Sequence, residues 1–210
     1  MGPNLPRNLS VADISQFRDR LCDAAERLFS EHGTEAVTIR QLAAAVGVSP
    51  MTPYRYFKDK DAILAAVRAR AFDRHADALE AAFRGAQPGG HTEALGGAYV
   101  RFALENPEAY KLMFDVHQPS AGDYPDLVRA GARSHATMTL NLTAAESTGQ
   151  DPDLVGHMFW AALHGPLMLQ LSGMLPADYD ATTIIRALSR TLNAGLARHD
   201  QNHPPQRKPK

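Results

Sequence analysis

The sequence predicts an all-α protein, and three observations support that fold class. Apolar residues recur at spacings of three and four over long stretches of the chain. Helix-start signals precede several of these stretches, such as Thr38 with Gln41 three residues later, and Asn106 followed by Pro107. The alternation of apolar and polar residues that marks a half-buried strand does not occur anywhere in the 210 residues.

The first predicted helix runs from Ile14 to Phe29, where the apolar positions recur at helical spacing. Gly33 follows it as the expected end signal. Residues 1–12 contain two prolines and little periodicity, so we expect them to form a flexible arm. The helix itself is expected to be the platform for the two elements that follow, and together they make a predicted three-helix domain over residues 13–60.

Residues 38–57 predict two short helices joined by a tight turn. The capping box at Thr38 starts the first helix, and Gly47 ends it in the left-handed conformation that glycine favours. Ser49 and Pro50 suit the N-cap and the first position of a second helix. Two helices around a glycine-containing turn predict a helix-turn-helix, whose second helix can enter the major groove of DNA.

Helical geometry places Pro50, Pro53 and Phe57 on the inward side of this second helix. Pro53 removes one backbone donor near the end of the first turn. We therefore expect it to tighten or shift the start of the helix.

The outward side of the second helix is predicted to contact DNA. Met51, Thr52 and Arg55 are the expected base contacts, because Arg can grip guanine and Thr can touch a thymine methyl group. The other members of the set would contact phosphates and position the protein without reading sequence. The full predicted DNA-binding set is Thr38, Arg40, Ser49, Met51, Thr52, Tyr54, Arg55, Tyr56, Lys58 and Lys60.

The rest of the chain is predicted to form a linking helix and a larger helical domain. The linking helix covers residues 61–84, and the glycine-rich stretch Gly85 to Gly90 marks a domain boundary. Residues 91–198 form the predicted ligand-binding and dimerisation domain. The tail over residues 199–210 is rich in proline, polar and basic, and is predicted to be disordered.

The apolar segment from Trp160 to Met174 predicts a cavity. Pro166 lies inside its helix, removes the hydrogen bond to the carbonyl of Ala162 and should kink the helix. A kinked apolar helix can line a space for a small apolar molecule, although a core helix with a hydrogen-bonded His164 explains the pattern equally well. The predicted ligand-binding residues are Tyr99, Phe102, Met113, Phe114, Trp160, His164 and Met168.

The run TIRQLAAAVGVSPMTPYRYF, with KDAIL shortly after it, resembles the N-terminal domain of TetR-type transcriptional repressors. Pro53 departs from the family pattern, which usually has leucine there. The resemblance implies a homodimeric, mostly ligand-controlled DNA-binding regulator. The matching residues are Thr38, Leu42, Ala43, Gly47, Val48, Ser49, Tyr54, Phe57, Lys60 and Leu64.

A second resemblance lies in the C-terminal part of the chain. The Trp-x-x-x-His-Gly pattern at Trp160, together with the Asn-Pro-Glu-x-Tyr-x-x-Met-Phe run at Asn106, is similar to a C-terminal ligand-binding domain found in a subset of these regulators. This likeness implies a small-molecule effector of unknown identity. It implies no cofactor.

Charge and composition limit the partners. The net charge is −1, but Arg40, Arg55, Lys58 and Lys60 face only Asp59 between positions 38 and 60, a local basic footprint suited to phosphates. The chain has one cysteine, no apolar signal core and no apolar run long enough to span a bilayer, so we expect a cytoplasmic protein without a membrane partner. The last two long helices are strongly apolar and predict a homodimer on a palindromic operator.

Rival interpretations are an all-α enzyme using His164 or His117, and a helical scaffold that does not bind DNA. No phosphate cradle, nucleophile elbow or H-E-x-x-H run supports an enzyme, so we predict no catalytic residues. His157 and His164 share a helix face, but a spacing of seven is too wide for easy chelation, and we predict no metal site.

Overall fold

The computed structural model describes residues 10–115, 121–140 and 151–202, and every regular element within these ranges is helical. His117 lies outside the described residues. Two single 3₁₀ turns occur, at Pro53–Arg55 and Ala121–Asp123. The α-helices are α1 (Val11–His32), α2 (Ile39–Ala45), α3 (Lys60–Gly85), α4 (His91–Glu105), α5 (Pro107–Met113), α6 (Pro125–Leu140), α7 (Pro152–Leu171) and α8 (Ala181–Asn202).

Helix α1 begins at Val11, three residues before the predicted start, because Ser10 caps it. The Ser10 hydroxyl oxygen accepts from the Asp13 backbone N–H at 3.1 Å, and the Asp13 carboxylate accepts from the Ser10 N–H at 3.0 Å. This reciprocal pair is a capping box built with aspartate. The predicted arm boundary after residue 12 was therefore wrong. At the other end, Gly33 ends α1 with φ +81° as predicted.

Helix α2 has both of its predicted end signals. The Thr38 N–H donates to the Gln41 side-chain oxygen at 2.8 Å, and the Gln41 N–H donates to the Thr38 hydroxyl at 3.3 Å. Gly47 has φ +73°, and the N–H of Val48 reaches back to the Ala43 carbonyl at 3.0 Å. Together with the Gly47 N–H bonded to Ala44 at 3.1 Å, this is a complete Schellman motif.

The second helix of the helix-turn-helix is not an α-helix, which corrects the prediction for Ser49–Phe57. An α-helix capped at Ser49 needs an N–H at position 53 for its first hydrogen bond, and Pro53 has none. The Ser49 carbonyl accepts instead from Thr52 at 2.9 Å, and the chain continues as the 3₁₀ turn Pro53–Arg55. The Ser49 hydroxyl, predicted to cap the backbone, bonds the Thr52 hydroxyl at 2.9 Å. We call residues 49–57 the recognition segment.

Replacing Pro53 with Ala is expected to turn the recognition segment from 3₁₀ to α-helical geometry, because an alanine at this position would supply the missing donor. The added hydrogen bond and the lost proline rigidity nearly offset each other, so stability should change by less than about 1 kcal/mol. Carbon-13 Cα shifts of residues 51–56 would report the conversion. Pro50→Ala is the matched control, since no intrahelical donor is missing at that position, and equal shifts in both variants would contradict the explanation.

Two apolar cores meet at α5. The reader core lies under the helix-turn-helix and includes Leu21, Leu42, Phe57 and Ile63. The second core lies among α3, α4, α5, α6, α7 and α8. Short helix α5 contacts α1 as well as α3, α4 and α7.

Within α5, neighbouring residues serve different cores. Leu112 packs in the reader core, whereas Tyr110 and Met113 pack in the second core. Arg68 of α3 pins this helix: its side chain is fully buried, its Nε donates to the Leu112 carbonyl at 2.7 Å, and its guanidinium lies 3.6 Å from the Asp115 carboxylate. Helix α5 is thus a shared element between the two halves.

Helix α6 lies along α3 and is held there by ion pairs. The Arg133 guanidinium reaches Asp77 at 2.7 Å and Glu80 at 2.8 Å, while Arg129 reaches Asp73 at 2.9 Å. The hydrogen bonds to these carboxylates raise the pKa of both arginines, and the hydrogen bond from Arg129 lowers the pKa of Asp73. These pairs fix α6 against the predicted linking helix.

Helix α7 is continuous through Pro166, and the kink expected at this residue stays a prediction. Helix α8 continues to Asn202, beyond the predicted start of the tail at residue 199. No helix among the described residues is long and apolar enough to cross a membrane.

Candidate nucleic-acid interface and buried cavity

The recognition segment and α2 present a polar and basic face to solvent, which we call the reader surface. Met51 is 69% exposed and Tyr54 49% exposed, and Arg55 beside them is also exposed. Pro53 and Phe57 face inward and are buried as predicted, but Pro50 is exposed, so its inward placement was wrong. The further exposed members of the predicted DNA-binding set are Thr38, Arg40, Ser49 and Lys58.

Three residues of the predicted set are only half-exposed. Thr52 is joined to Ser49, and the Tyr56 ring stacks on Phe17 with centroids 4.2 Å apart. The Lys60 ammonium donates to the carbonyls of Thr34 at 2.9 Å and Glu35 at 3.4 Å, in the turn between α1 and α2. Lys60 therefore stabilises that turn, a role that sequence reasoning did not foresee.

Two arginines of α1 fix the reader surface, and sequence reasoning missed both. The Arg18 guanidinium donates to the Tyr56 carbonyl at 2.6 Å and lies 4.1 Å from the centroid of the Phe57 ring. Arg20 donates to the Val46 carbonyl at the end of α2 at 3.1 Å. Both are close neighbours of core positions on α1, but spacing alone does not identify the carbonyls that they bind.

Lys58 connects the reader surface to the C-terminal half. Its ammonium lies 4.9 Å from the centroid of the Tyr124 ring and 3.9 Å from the Asp59 carboxylate. Interaction with Tyr124 and Asp59 raises the pKa of Lys58. The side chain remains 59% exposed, so its charge still faces solvent.

A cavity of about 300 Å³ lies between α3 and α6 and is bordered by α4, α5 and α7. Four of the predicted ligand-binding residues line it: Tyr99, Met113, Phe114 and Trp160. Phe102 and Met168 pack in the second core instead, and His164 is also absent from the wall, so these three assignments do not fit this cavity. The lining residues that sequence reasoning missed are Phe72, His75, Gly131, Ser134, His135 and Met138.

His164 belongs to a buried polar network behind the cavity wall. Its Nδ1 lies 2.7 Å from the Tyr110 hydroxyl, which is 2.8 Å from the Tyr99 hydroxyl, and the Trp160 indole N–H donates to Tyr99 at 3.0 Å. Burial raises the pKa of Tyr99 to about 12, raises that of Tyr110 as well, and lowers the pKa of His164. All four groups are neutral at physiological pH, which agrees with the alternative interpretation of His164 as a hydrogen-bonded core residue.

His75 occupies the α3 side of the cavity. Its side chain is 1% exposed, and its Nδ1 lies 2.8 Å from the Ser134 hydroxyl of α6. Burial lowers the pKa of His75 to about 4, so the ring is neutral near pH 7.

A second histidine pair lies at the cavity edge. The Nε2 atoms of His135 and His157 are 3.1 Å apart, and the His157 Nδ1 lies 2.6 Å from the Asp153 carbonyl. Among the described residues, no group of three or more histidine, cysteine, aspartate or glutamate side chains is placed to hold a metal.

The geometry as a whole defines a class of protein. A capped helix, a Schellman turn and an exposed recognition segment stand on one apolar core, and a long helix joins them to a second helical domain with a cavity between its helices. This is a helix-turn-helix DNA-binding transcriptional regulator. Two family models then place it more narrowly: one described as bacterial regulatory proteins of the tetR family matches residues 21–67, and one described as a tetracyclin repressor-like C-terminal domain matches residues 92–192.

The chain therefore belongs to the TetR family. It is 24% identical over 181 residues to an uncharacterized HTH-type transcriptional regulator of Mycobacterium tuberculosis, covering 86% of this chain and 82% of that one. A solved structure of a Rhodococcus sp. RHA1 protein of unknown function is 31% identical, with a TM-score of 0.73 over 92% of this chain and all of that one. The TetR family regulator PfmR of Thermus thermophilus shares the fold at 23% identity, with a TM-score of 0.63 over 83% of this chain and 97% of PfmR.

Regulators of this family bind DNA and typically dimerise. The family models and the named relatives describe regulators, and none of them points to enzymatic activity.

Proposed function

We propose that this protein is a homodimeric repressor that leaves a palindromic operator when an uncharged small molecule binds in the cavity. The observation that carries the proposal is the shared helix α5. Met113 lines the cavity, and its neighbour Leu112 packs in the reader core and accepts the hydrogen bond from Arg68 of α3. A ligand that displaces Met113 thus acts on residues that position the reader surface. Because the protein binds DNA, we place it in the cytoplasm.

The exposed faces of α7 and α8 support a dimer through these two helices. Leu154, Ala161 and Leu169 of α7 are exposed and recur at spacings of seven and eight, and Leu188 of α8 is exposed as well. Such stripes would be covered if two copies formed a four-helix interface about a two-fold axis. Two reader surfaces would then face successive major grooves, which favours a palindromic operator.

The proposed release step is a change in the tilt of α3. The cavity wall includes Phe72 and His75 of α3, and α6 is tied to α3 by the Arg133 ion pairs. A ligand that prefers one spacing of α3 and α6 would shift the population toward one tilt of α3. The affinity for the operator would fall by the same coupling free energy that the DNA exerts on ligand binding.

Replacing Arg55 with Ala is expected to weaken operator binding at least about tenfold and to relax the base preference, since a lost bidentate contact to guanine costs about 1–3 kcal/mol. Fluorescence anisotropy with DNA from upstream of the protein's own gene, in excess nonspecific competitor, measures this effect. Arg84→Ala is the matched control: its side chain is 70% exposed near the far end of α3, about 36 Å along the helix from Lys60.

The control variant should bind the operator as the wild type does. If Arg55→Ala retains wild-type affinity and sequence preference, the reader surface is misassigned. If the wild type shows no sequence-specific binding to any upstream DNA, the proposal of a repressor on its own operator is wrong.

A further inference from the structure

The described residues that line the cavity include no aspartate, glutamate, lysine or arginine. These residues contribute aromatic, thioether, hydroxyl and imidazole groups, and the low pKa of His75 keeps its ring neutral near pH 7. A charged ligand entering this wall would lose its hydration without meeting an opposite charge, which is costly. Cation–π contacts with the aromatic residues recover only part of that loss. The wall therefore favours an uncharged ligand.

Nearly every polar side chain of the wall already has a hydrogen-bond partner. The Ser134 hydroxyl is bonded to His75, Tyr99 to Tyr110, and the indole of Trp160 to Tyr99. His135 is paired with His157. Within the described part of the chain, the exception is the Nε2 of His75, which is fully buried and has no hydrogen-bond partner. A buried polar atom without a hydrogen-bond partner destabilises the folded state.

The Ser134 contact decides whether His75 Nε2 is a donor or an acceptor. A hydroxyl carries one hydrogen, and among the described residues the acceptor within reach of Ser134 Oγ is His75 Nδ1. If Ser134 donates to Nδ1, only the Nε2–H of His75 stays unpaired. In the other tautomer, both the Ser134 hydrogen and the Nε2 lone pair would be unpaired. The first arrangement leaves fewer unmet groups, so Nε2 carries the hydrogen and donates.

The volume limits the size of the ligand. A dry cavity of about 150 Å³ holds one benzene molecule with six carbon atoms. By simple proportion, a cavity of about 300 Å³ holds roughly twelve non-hydrogen atoms.

We propose that this cavity binds an uncharged, mainly apolar molecule of about twelve non-hydrogen atoms whose oxygen accepts a hydrogen bond from His75 Nε2. Ketones, esters and ethers with an aromatic ring or a short alkyl chain belong to this class. The assignment rests on the proposed function, in which a ligand of this cavity releases the operator. It adds the chemical class of the effector and the residue that recognises its polar group.

The test compares two probes of the same shape. Valerophenone has twelve non-hydrogen atoms and a ketone oxygen, and 2-phenylhex-1-ene replaces that oxygen with a methylene group. Isothermal titration calorimetry on the full-length protein should show the ketone binding about tenfold more tightly, the effect of one neutral hydrogen bond to an otherwise unpaired donor. His75→Phe should keep the binding of the alkene and abolish the preference for the ketone, and His91→Phe, outside the cavity wall, should keep the preference.

Several results would overturn the assignment. Equal affinity of the ketone and the alkene for the wild type would show that no hydrogen bond from His75 Nε2 to the ligand oxygen contributes to binding. Tighter binding of 5-phenylpentanoate or benzyltrimethylammonium would show that the cavity selects a charge. Failure of both uncharged probes to bind at millimolar concentration would exclude this ligand class. Operator affinity is measured on the same samples without probe, so loss of the ligand assignment is distinguished from loss of DNA binding.

Discussion

Arg68→Ala is expected to lower the free energy of unfolding by about 3–5 kcal/mol, because it removes a large buried side chain and leaves a carbonyl without its donor. Arg68 is fully buried, and its Nε is bonded to the Leu112 carbonyl at 2.7 Å. The variant would leave that carbonyl without its donor at the end of α5 and would open a cavity between the two cores. Burial lowers the pKa of Arg68, and the carboxylate of Asp115 opposes the shift; the group remains a cation.

Two companion variants separate the charge from the packing. Arg68→Met keeps most of the volume, so its loss should be smaller than that of the Ala variant, about 1–3 kcal/mol for the orphaned carbonyl. Arg84→Ala on the surface should change stability by less than about 0.5 kcal/mol. Urea unfolding at a fixed protein concentration measures all three, since a dimer's stability depends on concentration. An Arg68→Ala loss below about 1 kcal/mol would mean that the guanidinium does not pin α5.

Acidification is expected to destabilise the protein through His75. Burial in the folded state lowers the pKa of His75 from the ordinary 6.5 to about 4. Between these two pH values the His75 ring is protonated in the unfolded chain and neutral in the folded chain. The free energy of unfolding is therefore unaffected by His75 above pH 6.5 and decreases as the pH falls from 6.5 towards 4. At about 1.4 kcal/mol per unit of pKa shift, the loss reaches roughly 3 kcal/mol near pH 4.

The contribution of His75 is isolated by substitution. Unfolding free energies of the wild type and of His75→Phe, measured in urea at pH 7.5, 6.5, 5.5 and 4.5, should diverge in slope, with the variant losing about 2–3 kcal/mol less by pH 4.5. Subtracting the free energy of unfolding of one protein from that of the other at each pH removes the contribution of carboxylate titration, which is common to both proteins. His32→Phe, at a surface position with the side chain 52% exposed, should follow the wild type. Parallel pH curves for wild type and His75→Phe would show that His75 is not held neutral by burial.

Sequence reasoning succeeded where the signal is local. Thr38 and Gln41 are three residues apart and form a capping box, and Gly47 is the residue type that most often takes the left-handed conformation after a helix. Both ends of α2 were therefore predictable. Ser10 and Asp13 carry the same three-residue signal at the start of α1, with aspartate in the place of glutamine. Pro53 predicted a tightened or shifted helix start, but it did not predict that a 3₁₀ turn would replace the α-helix.

The candidate site was harder to predict because its contacts join distant parts of the chain. His75 meets Ser134 across 59 positions, and Arg68 meets Leu112 across 44. Periodicity assigns a residue to a helix face, yet it does not say which helix will cover that face. Trp160 was found because it lies in the apolar helix that contains Pro166, which was expected to line a cavity. The α6 residues were not found, because a serine and a histidine on a polar helix give no comparable signal.

The sharing of α5 between two cores limits how this regulator can be recombined with its relatives. The loop at Gly85–Gly90 offers a natural junction for fusing the DNA-binding half of one protein to the effector-binding half of another. In a chimera made there, the residue at the position of Leu112 and the placement of its carbonyl opposite Arg68 would come from the other protein. Such a hybrid needs the α1 and α3 residues that surround α5 to be transplanted along with it.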